Sequence, residues 1–291
     1  MDNRVAIVTG ASSGIGEATA RRLQAMGYTV YAAARRVDRM AGLGRDGIRV
    51  RALDVTDDAS MTAFVERIVA ESGRIDVLVN NAGYGSYGAV EDVPLAEARR
   101  QFEVNVFGLA RLTQLVLPHM RARRAGHVVN ISSIGGKIYE PLGGWYHATK
   151  FAVEGLSDSL RVEVAPFGIH VVVIEPGAIK TEWSGIAAAG VRSTSGRTAY
   201  AEQADLVANL LTAADAHPRL VSPPEVIADA VARAVTARRP RTRYAVGGGA
   251  KPMLLVRRLL SDRAFDRFIV ATFRAVGRRS TRAQPQPTPA R

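Results

Sequence analysis

Three residues of this chain could together handle a proton at a carbonyl oxygen: Ser133, Tyr146 and Lys150. Tyr146 and Lys150 stand four apart, one helical turn, and so project from the same face of a helix. An ammonium beside a phenol favours the phenolate and would draw the tyrosine pKa down from its usual ~10 toward working pH. A hydroxyl from Ser133, thirteen residues upstream, would give the same oxygen a second hydrogen-bond donor. Such a set is a general acid/base device for interconverting an alcohol and a ketone. The same spacing also occurs on solvated helix faces, so the surrounding elements must decide.

Those elements alternate. Runs rich in Val and Ile at residues 4–9, 29–34, 50–53, 75–80, 127–132 and 170–174 are separated by helix-length segments at 14–26, 58–72, 95–123 and 146–165. The third of these helices is open to a break near Pro118. Strands apolar on both faces, joined by helices, predict a parallel sheet covered on both sides, an α/β fold. A helix at 224–238 and a strand at 242–246 complete about seven strands. Residues 181–222 are rich in small side chains and too long for a plain connection, which predicts a lid over a site. The first strand runs into Thr9-Gly10-Ala11-Ser12-Ser13-Gly14-Ile15-Gly16 and then a helix. Glycines there permit a tight turn and close backbone approach, and the helix N-terminus offers N–H groups to a pyrophosphate.

Composition narrows the function. The chain has 291 residues, 47% of them hydrophobic, and no cysteine, which excludes disulfides and thiolate metal sites. Its five histidines show no paired metal-ligand spacing. Residues 233–291 hold 15 basic side chains against two acidic ones, a surplus of 13, so the preceding residues carry a net −1 of the overall +12. A nucleic-acid-binding body is therefore not expected, and only the tail needs an electrostatic account. MDNRVAIVTG leads straight into a strand pattern, and no apolar run approaches the ~20 residues of a spanning helix. The expectation is a cytoplasmic protein without a secretory leader.

Over residues 4–182 the sequence resembles the short-chain dehydrogenase/reductase family. TGASSGIG resembles the family's cofactor turn, with Gly10, Ser12, Ser13, Gly14 and Ile15 as its contacts. Asp54 and Val55 match the adenine-side pair, and Asn81, Ala82 and Gly83 belong to an NNAG that ends the fourth strand. Asn105 matches the asparagine of the catalytic tetrad, Ser133 its serine, and Tyr146-His147-Ala148-Thr149-Lys150 the YxASK motif. Pro176, Gly177, Ile179 and Thr181 match the turn at the nicotinamide end. The family's serine-to-tyrosine interval selects Ser133 over Ser132, which is expected to pack near the sheet end. The resemblance implies a single Rossmann-type, doubly wound sheet. It also implies roles: Tyr146 as acid/base, Ser133 as second donor, Lys150 on the tyrosine and the nicotinamide ribose, and Asn105 holding a water behind them.

At the end of the second strand, Ala34 replaces the carboxylate that binds a ribose 2′-hydroxyl in NAD-preferring relatives, and Arg35 and Arg36 follow. A guanidinium grips a phosphate with parallel bonds, so NADP is the expected cofactor, with Arg35 as its 2′-phosphate contact. Asp38 lies too far along to take the acid's place. His147 should point off the Tyr146/Lys150 face, Glu140-Pro141 reads as a turn, and Trp145 and Trp183 either line the pocket or pack in the core.

The expected substrate is a small-molecule ketone or alcohol, lipophilic and steroid-, retinoid- or long-chain-like, since length and tail resemble the 17β-hydroxysteroid-dehydrogenase-like branch. The alternatives are a carrier-bound 3-ketoacyl chain and a non-catalytic NADP-binding sensor. The expected organisation is a dehydrogenase domain at 1–249 with its lid at 181–222, an amphipathic basic helical extension at 250–277 and a disordered tail at 278–291. Apolar residues recur along the extension, which reads as one helix or two broken near Ser261-Asp262. It either covers the substrate side or makes a weak contact with an anionic membrane surface. The resemblance implies a homodimer or homotetramer.

Overall fold

The computed structural model describes residues 4–213 and 221–282. Seven strands form one sheet: β1 (Val5–Thr9), β2 (Thr29–Ala34), β3 (Arg49–Ala52), β4 (Val77–Asn80), β5 (Gly126–Ile131), β6 (Ile169–Pro176) and β7 (Arg243–Val246). Their order is β3-β2-β1-β4-β5-β6-β7, and every pairing is parallel. The chain leaves β1 for β2 on one side and returns to β4 on the other. That reversal opens a crevice at the carboxyl ends of the strands.

Side chains alternate across β1 as the pleat requires. Ala6 and Val8 face one apolar layer, built with α1 (Gly14–Ala25), α2 (Ala41–Arg45) and α9 (Glu225–Thr236). Val5 and Ile7 face the other, built with α3 (Asp58–Ser72), α5 (Gly108–Arg123) and the end of α6 (Gly144–Val164). Each buried valine or isoleucine among them contributes about 1.5–3 kcal/mol. The two-sided apolarity of the strands thus has the cause expected of it: helices cover both faces.

The segment expected as one helix over 95–123 differs. It divides into α4 (Leu95–Phe102), a π turn over Glu103–Phe107, and α5. Pro118 lies inside α5 without ending it. Pro118 and Gln114, whose carbonyl loses its partner there, are both exposed, so solvent can serve the freed group. The break falls instead where Asn105 must turn inward, as π turns commonly do at functional sites.

Residues 181–213 hold two helices, α7 (Trp183–Ser195) and α8 (Ala201–Ala213), across the crevice mouth. Residues 214–220 of the expected lid lie outside the described residues. The extension forms α10 (Ala250–Leu259) and α11 (Asp262–Arg282), which meet at Ser261. Phe265, Ile269 and Phe273 are buried in an apolar cluster with Tyr87, Tyr146, Val191 and Val207. Tyr139 joins α11 to the body, its ring 5.2 Å from that of Phe265 and its hydroxyl donating to Asp266 Oδ1 at 2.8 Å. Residues 283–291, the remainder of the expected tail, lie outside the described residues. No described helix is long and apolar enough to cross a membrane.

Candidate active site

One cavity of about 790 Å³ follows the crevice from the glycine-rich turn to the lid. Every residue expected at the site lines it except Asn105.

The glycine turn is shaped for close approach. Gly10 and Gly14 have φ of +64° and +57°, and a Cβ on Gly16 would stand 2.3 Å from Gly10 O. Asn81 clamps the turn from β4, its Nδ2 donating to Thr9 O at 2.9 Å and Gly10 O at 3.2 Å. Thr9 Oγ1 returns the clamp by accepting from the N–H groups of Asn81 and Ala82. No side chain caps the N-terminus of α1, so its first N–H groups remain for an anion. Ala34 ends β2, Arg35 and Arg36 line the cavity, and Arg36 Nη2 reaches Ser12 Oγ at 3.5 Å. Asp38 does not line the cavity. An uncapped helix end, a turn whose glycines allow close backbone approach and two guanidinium groups fit a phosphorylated dinucleotide.

The segment after β5 places Ser133, and α6 places Tyr146 and Lys150, in the middle of the cavity. Ser133 Oγ accepts from Gly135 N–H at 3.0 Å, which fixes the side chain. Tyr146 is buried, its ring 5.2 Å from Trp183 and 5.7 Å from Tyr87. Its phenol behaves opposite to expectation. Burial pushes its pKa up to about 12, against a downward pull from the Ser133 hydrogen bond, with the Glu140 charge adding to the rise. Lys150 does not offset this. Its Nζ lies 5.9 Å from the Tyr146 ring centre and donates to Ile131 O at 2.9 Å. Burial draws the Lys150 pKa down to about 8, with Glu154 opposing. At neutral pH this geometry holds Tyr146 as a phenol.

Asn105 stands behind the cavity and acts on the loop after β4. Its Nδ2 donates to Tyr84 O at 2.9 Å and Thr149 Oγ1 at 3.0 Å, and its Oδ1 accepts from Tyr84 N–H. Thr149 Oγ1 in turn donates to Tyr146 O at 2.7 Å, so the inward turn of the π segment braces both the loop and α6. Ser132 is buried against the sheet end. His147 also lines the cavity, with both ring nitrogens engaged by backbone: Nε2 accepts from Glu140 N–H at 3.2 Å, which leaves Nδ1 to donate to Gly135 O at 2.9 Å. Trp183 lines the cavity, whereas Trp145 packs against Phe102.

Three features escaped the sequence. Tyr87 is fully buried beside Tyr146, Glu140 lines the cavity, and Arg39 ties the segment after β2 to the lid, its Nη1 donating to Glu182 Oε2 at 3.0 Å. None has a spacing signal, because each depends on a partner far along the chain.

Residues 4–190 match the family described as short chain dehydrogenase. A short-chain dehydrogenase of known structure from Streptomyces avermitilis has a TM-score of 0.76 and 35% identity, covering 98% of this chain and 100% of that one. The chain belongs to the short-chain dehydrogenase family, oxidoreductases that act on carbonyl or alcohol groups with a nicotinamide cofactor. A 3-ketodihydrosphingosine reductase from Bacteroides thetaiotaomicron is 43% identical over 181 residues, which span 62% of this chain and 66% of that protein. An NADPH-dependent 3-dehydrocapnine reductase from Ornithobacterium rhinotracheale is 34% identical over 275 residues, 91% of this chain and 95% of that one.

Proposed function

We propose that this protein is an NADP-dependent reductase of a lipophilic, long-chain ketone. The observation that carries the reading is the composition of one cavity. Arg35 and Arg36 stand at its cofactor end, Ser133, Tyr146 and Lys150 in its middle, and Trp183, Ile186, Leu210 and Leu211 at its far end. Both named relatives support it, one by reducing 3-ketodihydrosphingosine and the other by its dependence on NADPH. Among the steroid-, retinoid- and long-chain-like candidates, the first of these relatives favours the long chain.

The roles follow from the site. Gly10, Ser12, Ser13, Gly14 and Ile15 cradle the pyrophosphate, Asp54 and Val55 meet the adenine, and Arg35 with Arg36 holds the 2′-phosphate. Asn81, Ala82, Gly83, Pro176, Gly177, Ile179 and Thr181 frame the nicotinamide end. When bound, the cofactor supplies hydride to the carbonyl carbon. Tyr146 gives its phenolic proton to the carbonyl oxygen, Ser133 donates a second hydrogen bond and holds that oxygen in line, and Lys150 holds the nicotinamide ribose. Asn105 keeps the Tyr84 loop and Thr149 in register behind them. A phenol protonated at neutral pH suits the reductive direction.

The extension covers the substrate side in this reading, because its aromatic face turns inward. The exposed Phe107, Phe151, Leu156 and Val162 on and beside α5 and α6 suit pairing of copies into a homodimer or homotetramer. The test is NADPH oxidation against a panel of lipid ketones and carrier-bound 3-ketoacyl chains. Turnover of the free lipid ketones supports the proposal. Preference for the carrier-bound chain would replace it with a ketoacyl reductase, and cofactor binding without any turnover would make the protein a sensor.

A further inference from the structure

The helical extension has two sides. Its inner side carries Phe265, Ile269 and Phe273 into the apolar cluster at the substrate end, joined by Leu254 and Phe268. Its outer side is of another kind. On α10, Lys251, Leu255, Arg258 and Leu259 are exposed at the spacing of a single helix face. On α11, the exposed Arg263, Arg267, Val270 and Arg274 share one face in the same way. Arg257 fixes the two helices to each other, so these faces belong to one surface. Its Nη2 donates to Asp262 Oδ1 at 2.6 Å, and its guanidinium lies 5.2 Å from the centre of the Phe265 ring.

The charges of this surface are uncompensated. Lys251, Arg258, Arg263, Arg267 and Arg274 form no ion pair among the described residues. The two acids of the segment are engaged, Asp262 with Arg257 and Asp266 with the Tyr139 hydroxyl. On α1, α3 and α5, by contrast, exposed arginines find acids, as Arg22 finds Asp229, Arg67 Glu71 and Arg111 Asp58. Hydrocarbon stands out among the cations. Leu255 is 56% exposed, and Leu259, at 73%, is the most exposed large apolar side chain among the described residues.

Cations interleaved with outward leucines fit anionic headgroups lying over hydrocarbon, where the cations meet phosphates and the leucines enter the acyl boundary. Pairing with a second copy through this surface would set like charges against each other. A nucleic acid would leave the leucines in water, and the phenylalanines that could stack on its bases turn inward. The surface also lies over the apolar end of the cavity, since Leu210 and Leu211 line that cavity and join the cluster on which α11 packs.

We infer that the outer side of α10 and α11 docks on an anionic membrane surface, with Leu255 and Leu259 entering the headgroup boundary. Docking holds the apolar end of the cavity beside the bilayer in which a long-chain ketone dissolves. The docking stands without the reductase reading, and only the delivery of substrate rests on it.

The full-length protein is sedimented with vesicles of phosphatidylglycerol and phosphatidylcholine in equal parts, and with vesicles of phosphatidylcholine alone. The wild type should pellet with the first and stay in solution with the second, and added salt should release it. Each cation at an anionic surface strengthens attachment roughly five-fold, so Arg258→Gln, Arg263→Gln and Arg267→Gln together should weaken it on the order of 100-fold. Leu255→Ser with Leu259→Ser should weaken it while leaving its salt dependence as it was. All five side chains are exposed, so both variants should melt with the wild type. A wild type left in the supernatant of the anionic vesicles would overturn the inference, as would pelleting that both variants retain. Tighter binding to a DNA duplex than to the vesicles would make the face a nucleic-acid site instead. An oligomer that the leucine variant dissociates, without vesicle binding by the wild type, would make it an interface between copies. If the protein docks as expected but reduces no lipid ketone offered in the vesicles, the reductase reading fails and the docking surface stands.

Discussion

Replacing Tyr146 by phenylalanine removes one oxygen from a site whose remaining contacts are made by the ring. The ring lies 5.2 Å from Trp183 and 5.7 Å from Tyr87, and phenylalanine keeps both contacts. Lys150 is held by Ile131 O rather than by the phenol, so it should stay where it is. The hydroxyl's loss from the fold is then no larger than one neutral hydrogen bond, about 0.5–1.5 kcal/mol. Its loss from the reaction is much larger. Ser133 can still donate a hydrogen bond to the carbonyl oxygen, but an aliphatic hydroxyl is a poor acid for passing its proton on as the alcohol forms. Removal of a positioned general acid lowers rate by ~10²–10⁴-fold, equivalent to about 3–5.5 kcal/mol of barrier. Turnover on a lipid ketone and NADPH affinity by fluorescence titration, measured on the same Tyr146→Phe protein, separate the two effects. Turnover should collapse while affinity stays within about two-fold. Turnover within a few-fold of wild type would refute the assignment of Tyr146 as proton donor.

Three other outcomes follow from the same structure. Arg35→Ala should weaken NADPH more than NADH, by roughly 10- to 150-fold in their ratio, because the lost charge-assisted contact is to a phosphate that NADH lacks; equal weakening of both in a binding titration would make Arg35 structural. Glu175 is pushed up to about 7, mainly by burial and further by Glu154, against Arg243 and Lys137. Its stabilising protonated form is complete below the ordinary value of 4.5 and is lost as pH rises through 7, a change on the order of 1–3 kcal/mol. Glu175→Gln should therefore raise the melting temperature at pH 8 and leave it nearly unchanged at pH 4, and the reverse pattern would contradict the assignment. Phe265 is fully buried between the extension and the body, so Phe265→Ala should cost about 3–5 kcal/mol in denaturant unfolding. An unchanged midpoint would show that α11 does not belong to the core.

What could be read from the sequence was chemistry that needs fixed residue types at fixed local spacing. The glycines of the first turn and the Tyr146/Lys150 pair are of that kind, because one turn of backbone sets their geometry. The strand runs were equally legible, since helices on both sides of a sheet demand apolar residues on both faces. The pKa of Tyr146 was not legible. Spacing brings Lys150 to the same face, but it does not reveal that Ile131 O takes the ammonium or that Tyr87 and Trp183 dry the phenol. The break at Asn105 was hidden for a similar reason, as nothing in residues 103–107 signals the Tyr84 loop that the asparagine must hold.

Glu140 shows the same limit. Within its own segment it is an ordinary turn residue before a proline, and the turn is indeed there. Its partner Tyr87 lies 53 residues upstream, and the two meet only because β4 and β5 are neighbours whose following loops converge. The parallel sheet thus separates two kinds of contact. The residues proposed to meet the carbonyl oxygen are written locally around Ser133 and Tyr146. The Tyr87–Glu140 contact is assembled across strands, from two residues that carry no motif of their own.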